Sequence, residues 1–133
     1  MRLILLLLLT FSLSSQAYAD GPFSDQNCVN VYRDNTLFLE QVTRQFNEGQ
    51  IGRFDFASKV SAISTVVSTN RLGCLIFESH DVERCVDRYK TLYKSLRQRI
   101  KVPSVLRGNQ TEVSIPTLLK TRVEGADLLC KYL

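Results

Sequence analysis

Lys90, Lys94, Arg97 and Lys101 are spaced by three and four residues. On an α-helix, which turns about 100° per residue, that spacing sets them in one cationic stripe. From Arg88 to Arg107 there are seven basic residues and no acidic one, with Arg88, Arg99 and Arg107 completing the set. From Asp20 to Asp87, by contrast, acids outnumber bases, so charge is segregated along the chain. A cationic stripe meets anionic groups: a membrane lipid surface, lipopolysaccharide, nucleic acid or an acidic protein partner. The same residues also solvate a helix and complement the partial negative charge at its C-terminal end, which needs no ligand. Tyr89 and Tyr93 fall on the apolar side and are expected in the core, not as stacking platforms.

His80 followed by Asp81 is the dipeptide that invites an enzymatic reading. A histidine beside an acid, in a helix between two half-cystines, resembles the active helix of secreted phospholipase A2. The resemblance implies that His80 would activate a water and Asp81 would hold calcium. The sequence departs from that family in two respects: Cys74 lies six residues before His80 instead of adjoining the motif, and no glycine-rich calcium loop precedes it. As plain structure, His80 and Asp81 cap a helix start at an exposed turn. The serines have no nearby histidine, so no Ser-His-acid site is assembled either. No catalytic residues are assigned, and the chain is expected not to be an enzyme.

Cys28, Cys74, Cys85 and Cys130 are an even set in a small chain, which reads as two disulfides among three possible pairings. A metal site is not expected, because no Cys-x-x-Cys spacing occurs and His80 is the only histidine. No cofactor is expected. The oxidising compartment that disulfides need agrees with the N-terminus. Met1-Arg2 is followed by an apolar run from Leu3 and then by Ala17-Tyr18-Ala19, a small-x-small cleavage pattern. That run is much shorter than the ~20 apolar residues of a membrane-crossing helix. Residues 1–19 are therefore expected to be a cleaved signal peptide, and residues 20–133 a single helical domain.

These groups must be positioned by helices. Ser24 or Asp25 offers an N-cap, and Cys28, Val31, Tyr32, Leu39, Val42 and Phe46 then recur mostly at three or four residues, with Leu37 and Phe38 widening the stripe and Gly49 as the stop. A second periodic stretch carries Phe56, Val60, Ile63 and Val67. Its β-branched run would also suit a strand, but the four-residue spacing persists longer and favours helix, with a break or kink expected at Asn70 and Gly73. Val82, Cys85, Val86, Tyr89, Leu92, Tyr93, Leu96 and Ile100 define a third helix, which Pro103 ends. Pro103 to Val113 reads as a surface loop. Pro116 then opens a last helix through Leu119, Val123, Ala126 and Cys130, with Gly125 a local weakness.

With 133 residues, a formal charge of +4, 44% hydrophobic residues and only three prolines, the chain suits one packed domain and excludes low-complexity disorder. The expected fold is all-α, a small four-helix up-and-down bundle stapled by two disulfides, with all four cysteines at one pole. The simplest pairing is Cys74–Cys85 with Cys28–Cys130; Cys28–Cys74 with Cys85–Cys130 stays open. The expected function is a periplasmic binding protein of a Gram-negative bacterium, acting through a protein–protein interface as an inhibitor, immunity protein or accessory factor of an envelope process. Its expected partner is another envelope or secreted protein. The first alternative is a binder of anionic surfaces through Lys90, Lys94, Arg97 and Lys101. The second is a calcium-dependent hydrolase similar to phospholipase A2.

Overall fold

A computed structural model describes residues 25–77 and 80–130; the side chains of residues 25–27 and 72–82 lie outside that description, as does the expected signal peptide. Among the described residues five helices follow one another: α1 (Asp25–Asn47), α2 (Arg53–Phe77), α3 (His80–Arg97), the short α4 (Val102–Leu106) and α5 (Leu119–Cys130). No strand occurs among the described residues. The protein is all-helical, a bundle in which α1 packs along both α2 and α3, while α5 lies against α3 and α4 against α2.

Its central place explains why α1 is buried beyond a single stripe. Tyr32, Leu39, Val42 and Phe46 face the core, and Thr36, Glu40 and Thr43 are buried beside them. A buried polar group must find a partner, and these do so within their own helix. The Thr36 hydroxyl donates to the Tyr32 carbonyl at 2.6 Å, the Thr43 hydroxyl donates to Leu39 at 2.7 Å, and Glu40 accepts from Arg44. At the α1–α2 turn, Gly49 takes a positive φ of 72°, a backbone state that costs glycine little, and Phe46 stacks on Phe56 with ring centroids 4.3 Å apart. Phe38, expected to widen the stripe, is instead 46% exposed.

α2 is one continuous helix, without the expected break at Asn70 and Gly73. The hydroxyl and amide side chains that lowered its helical tendency are absorbed locally: Thr65 donates to the Ser61 carbonyl and Asn70 to that of Val66. Arg97, the last residue of α3, reaches Ser64 near the middle of α2.

The segment from Pro103 to Val113 is not a plain surface loop. Pro103 lies in the first turn of α4, where its missing N–H and fixed φ are harmless, and Val105 and Val113 are fully buried. Side-chain amides organise this pole. Asn47 donates to the Val113 carbonyl and accepts from the Val113 N–H, while Gln110 bridges the Arg99 carbonyl and the Lys101 N–H. Pro116 does not open the last helix, which starts three residues later, after Leu118 in the left-handed region at φ 57°.

The disulfide pairing also differs from expectation. Cys85 is bonded to Cys130, with Cα atoms 5.9 Å apart, which rules out both Cys74–Cys85 and Cys28–Cys130. The reason is the packing order: α5 neighbours α3, so the C-terminal cysteine meets the start of α3 and not the start of α1. Cys28 is fully buried in the same core cluster and is itself disulfide-bonded, its partner lying outside the described side chains.

Candidate functional site

Two polar assemblies flank α3. On the α5 side, the Asp127 carboxylate receives both arms of the Arg33 guanidinium, Nε at 2.8 Å and Nη2 at 2.9 Å, and the Tyr89 hydroxyl donates to it at 2.5 Å. Arg33 also reaches Asp34. The parts come from α1, α3 and α5, so this cluster pins the last helix to the bundle. The Arg33 hydrogen bond holds the Asp127 carboxyl below the usual carboxylate range, against the opposing effect of burial and with help from Tyr89. Burial, then the adjacent Asp127, push the Tyr89 phenol well above its ordinary range. Donors and acceptor satisfy one another, which makes the cluster a structural joint.

On the α2 side lies a cleft of about 300 Å3. Its floor is Tyr32, Val67 and Tyr93, all buried, with Tyr32 and Tyr93 in edge-on contact at 6.4 Å between centroids. Its α2 wall carries Ser64, Ser68 and Arg71, and its α3 wall carries Lys90, Lys94 and Arg97. Four cationic side chains thus border one cleft whose described lining holds no carboxylate. Like charges gathered without counter-charges repel, and an anion is what relieves that repulsion. Arg97 is fixed in place: its Nε donates to Ser64 Oγ at 2.8 Å and its Nη1 to the Ile100 carbonyl at 3.0 Å.

Three of the four expected stripe residues therefore meet at the cleft, and Lys101 does not. α3 stops at Arg97, and Lys101 stands beyond it before α4, its backbone N–H held by Gln110. Arg99 is likewise spent on structure, donating to the Ser114 carbonyl and hydroxyl. The residue that sequence reasoning missed is Arg71. Its signal was present: Ser64, Ser68 and Arg71 repeat at four and three residues beside the apolar face of α2. Tyr89 and Tyr93 are both buried, as expected.

The side chains of His80 and Asp81 lie outside the described residues; the backbone of His80 is the first residue of α3. Among the described residues no group of His, Cys, Asp and Glu is arranged to hold a metal ion. No described helix is long and apolar enough to cross a membrane. A second groove, of about 530 Å3, runs between α3 and α5 over Leu92, Gly125, Ala126 and Leu129. Set against known proteins, the chain matches no family model, and no curated protein or solved structure is significantly similar to it.

Proposed function

We propose that this protein is an exported, non-catalytic binding protein of the bacterial periplasm that recognises an anionic group of its partner in the α2/α3 cleft. One observation carries the reading: Arg71, Lys90, Lys94 and Arg97 converge from two helices on a cleft whose described lining has no acid. The export part rests on Met1 to Ala19 and on the oxidised cysteines. In this reading a second staple joins Cys28 to Cys74, since that is the intrachain pairing compatible with Cys85–Cys130. Two disulfides suit a small bundle that must hold its shape outside the cytoplasm.

A second reading keeps the protein–protein interface of an inhibitor, immunity protein or accessory factor, and places it on the α3/α5 groove. Leu129, which lines that groove and is 64% exposed, favours it, because a large apolar side chain left in water at a groove suits a protein contact. The test is capture of partners from envelope extract by the mature, oxidised protein at low and high salt, with Lys90→Gln/Lys94→Gln alongside. Recovery that is lost at high salt and in the variant supports the cleft. Recovery of one protein that survives both supports the groove instead. The intact mass of the periplasmic protein tests export: a chain beginning at Asp20 with no free thiol is the expected result.

A further inference from the structure

The reading of the cleft as an anion site leaves the anion open, and its geometry points further. We infer that the α2/α3 cleft is built for a tetrahedral phosphate monoester group, and this rests on the proposal above. The donors stand on two facing walls, Arg71 and Ser68 on α2 against Lys90 and Lys94 on α3, with Arg97 fixed between them. A phosphate presents three terminal oxygens in different directions and can be held from both walls. A carboxylate presents two oxygens in one plane, which one arginine fork already satisfies. Ser64 adds to the argument. Its oxygen accepts the Arg97 Nε–H at 2.8 Å, so its own hydroxyl proton is left to donate.

Charge and size agree with that choice. A monoester carries about −1.5 to −2 charges near neutral pH, which balances a cluster of this strength better than a single negative charge does. The buried floor of Tyr32, Val67 and Tyr93 removes water from one side of the cations and strengthens their field. A volume of about 300 Å3 holds a phosphate with a glycerol-sized attachment, at the lower end of small-ligand sites. The shared chemistry is the monoester headgroup, whether on a soluble ester or on a lipid.

Calorimetric titration of the full oxidised protein at constant ionic strength tests this with three probes: glycerol phosphate, malonate as a dicarboxylate of the same charge, and inorganic phosphate. Phosphatidylcholine vesicles with and without phosphatidic acid form the membrane arm. The expected result is that glycerol phosphate binds at least about tenfold more tightly than malonate, since one charge-assisted hydrogen bond is worth that factor. Its affinity should fall as pH drops through about 6, where a monoester takes up its second proton. Arg71→Gln/Lys90→Gln/Lys94→Gln should lose it by at least about tenfold, and Lys120→Gln, outside the cleft, should stay within about twofold. Ser68→Ala, which leaves the Ser64 contact to Arg97 in place, should weaken glycerol phosphate and leave malonate unchanged. Binding to phosphatidic acid vesicles that glycerol phosphate displaces assigns the lipid source, and binding to the soluble ester alone assigns the free one. Malonate binding as tightly as glycerol phosphate overturns the monoester assignment while leaving the anion cleft standing. No binding of any probe overturns both.

Discussion

The two faces of α3 handle charge in opposite ways. On the α5 face, Arg33 and Asp127 neutralise each other in a two-armed pair, and Tyr89 completes the carboxylate. On the α2 face, Lys90, Lys94 and Arg97 stand with Arg71 over a cleft whose described lining supplies no acid. A satisfied cluster contributes to folding and has nothing left for a ligand. An unsatisfied one costs the fold a little repulsion, and it gains that back only when something anionic arrives. On the proposed function, the contrast separates structural from binding cations around a single helix.

The strongest way to break the contrast is at the α5 joint. Cys85→Ser/Cys130→Ser opens a covalent loop spanning a sequence separation of 45 residues. It should lower stability by about 4 kcal/mol in the chain-entropy model, read as the urea midpoint with unchanged slope. Next in size is Asp127→Ala, which strands the Arg33 guanidinium and the Tyr89 hydroxyl. The pair is about one-third exposed, so the expected loss is about 2 kcal/mol, within the range for hydrogen bonds to charged groups.

The same joint predicts a pH dependence with a definite sign. Folding depresses the Asp127 carboxyl below its ordinary range, so its contribution is full above about pH 4 and is lost as pH falls further. Folding raises the Tyr89 phenol, so its contribution is full below about pH 10 and is lost at more alkaline pH. The gap in urea midpoint between the wild type and Asp127→Asn should therefore narrow in acid. Tyr89→Phe, which removes one donor and leaves the ring, should cost about 1 kcal/mol at neutral pH, and its gap should narrow in alkali. At the cleft the expectation is reversed. Lys90→Gln/Lys94→Gln should change stability by no more than about 0.5 kcal/mol, because the variant removes repulsion and exposed side chains and breaks no hydrogen bond recorded for either lysine.

How much of this was legible beforehand follows from which interactions are local. The helices and most of the α1 and α3 core are written in three- and four-residue spacing, and so are Lys90, Lys94 and Arg97 as neighbours on one face. What spacing cannot say is which helix stands opposite. Arg71 was missed for that reason, although its own repeat with Ser64 and Ser68 was visible. Lys101 was included by extending the helical step past Arg97, where the chain leaves α3 and the step no longer applies. The Arg33–Asp127 pair joins residues 94 apart and has no local trace at all. The expectation of four cysteines at one pole likewise fixes a neighbourhood and not a pairing, and for Cys85 and Cys130 the preference of α5 for α3 decided it.

The central claim is that Arg71, Lys90 and Lys94 of the α2/α3 cleft serve binding and not folding. It is tested most directly by the salt needed to elute the folded Arg71→Gln/Lys90→Gln/Lys94→Gln protein from phosphocellulose. A charge-matched control with Arg84→Gln/Arg107→Gln/Lys120→Gln, outside the cleft, is run beside it. The account predicts that the cleft variant elutes at much lower salt than the control, while its urea midpoint stays at the wild-type value. Equal elution of the two variants, or a cleft variant that unfolds early and still binds, would contradict it.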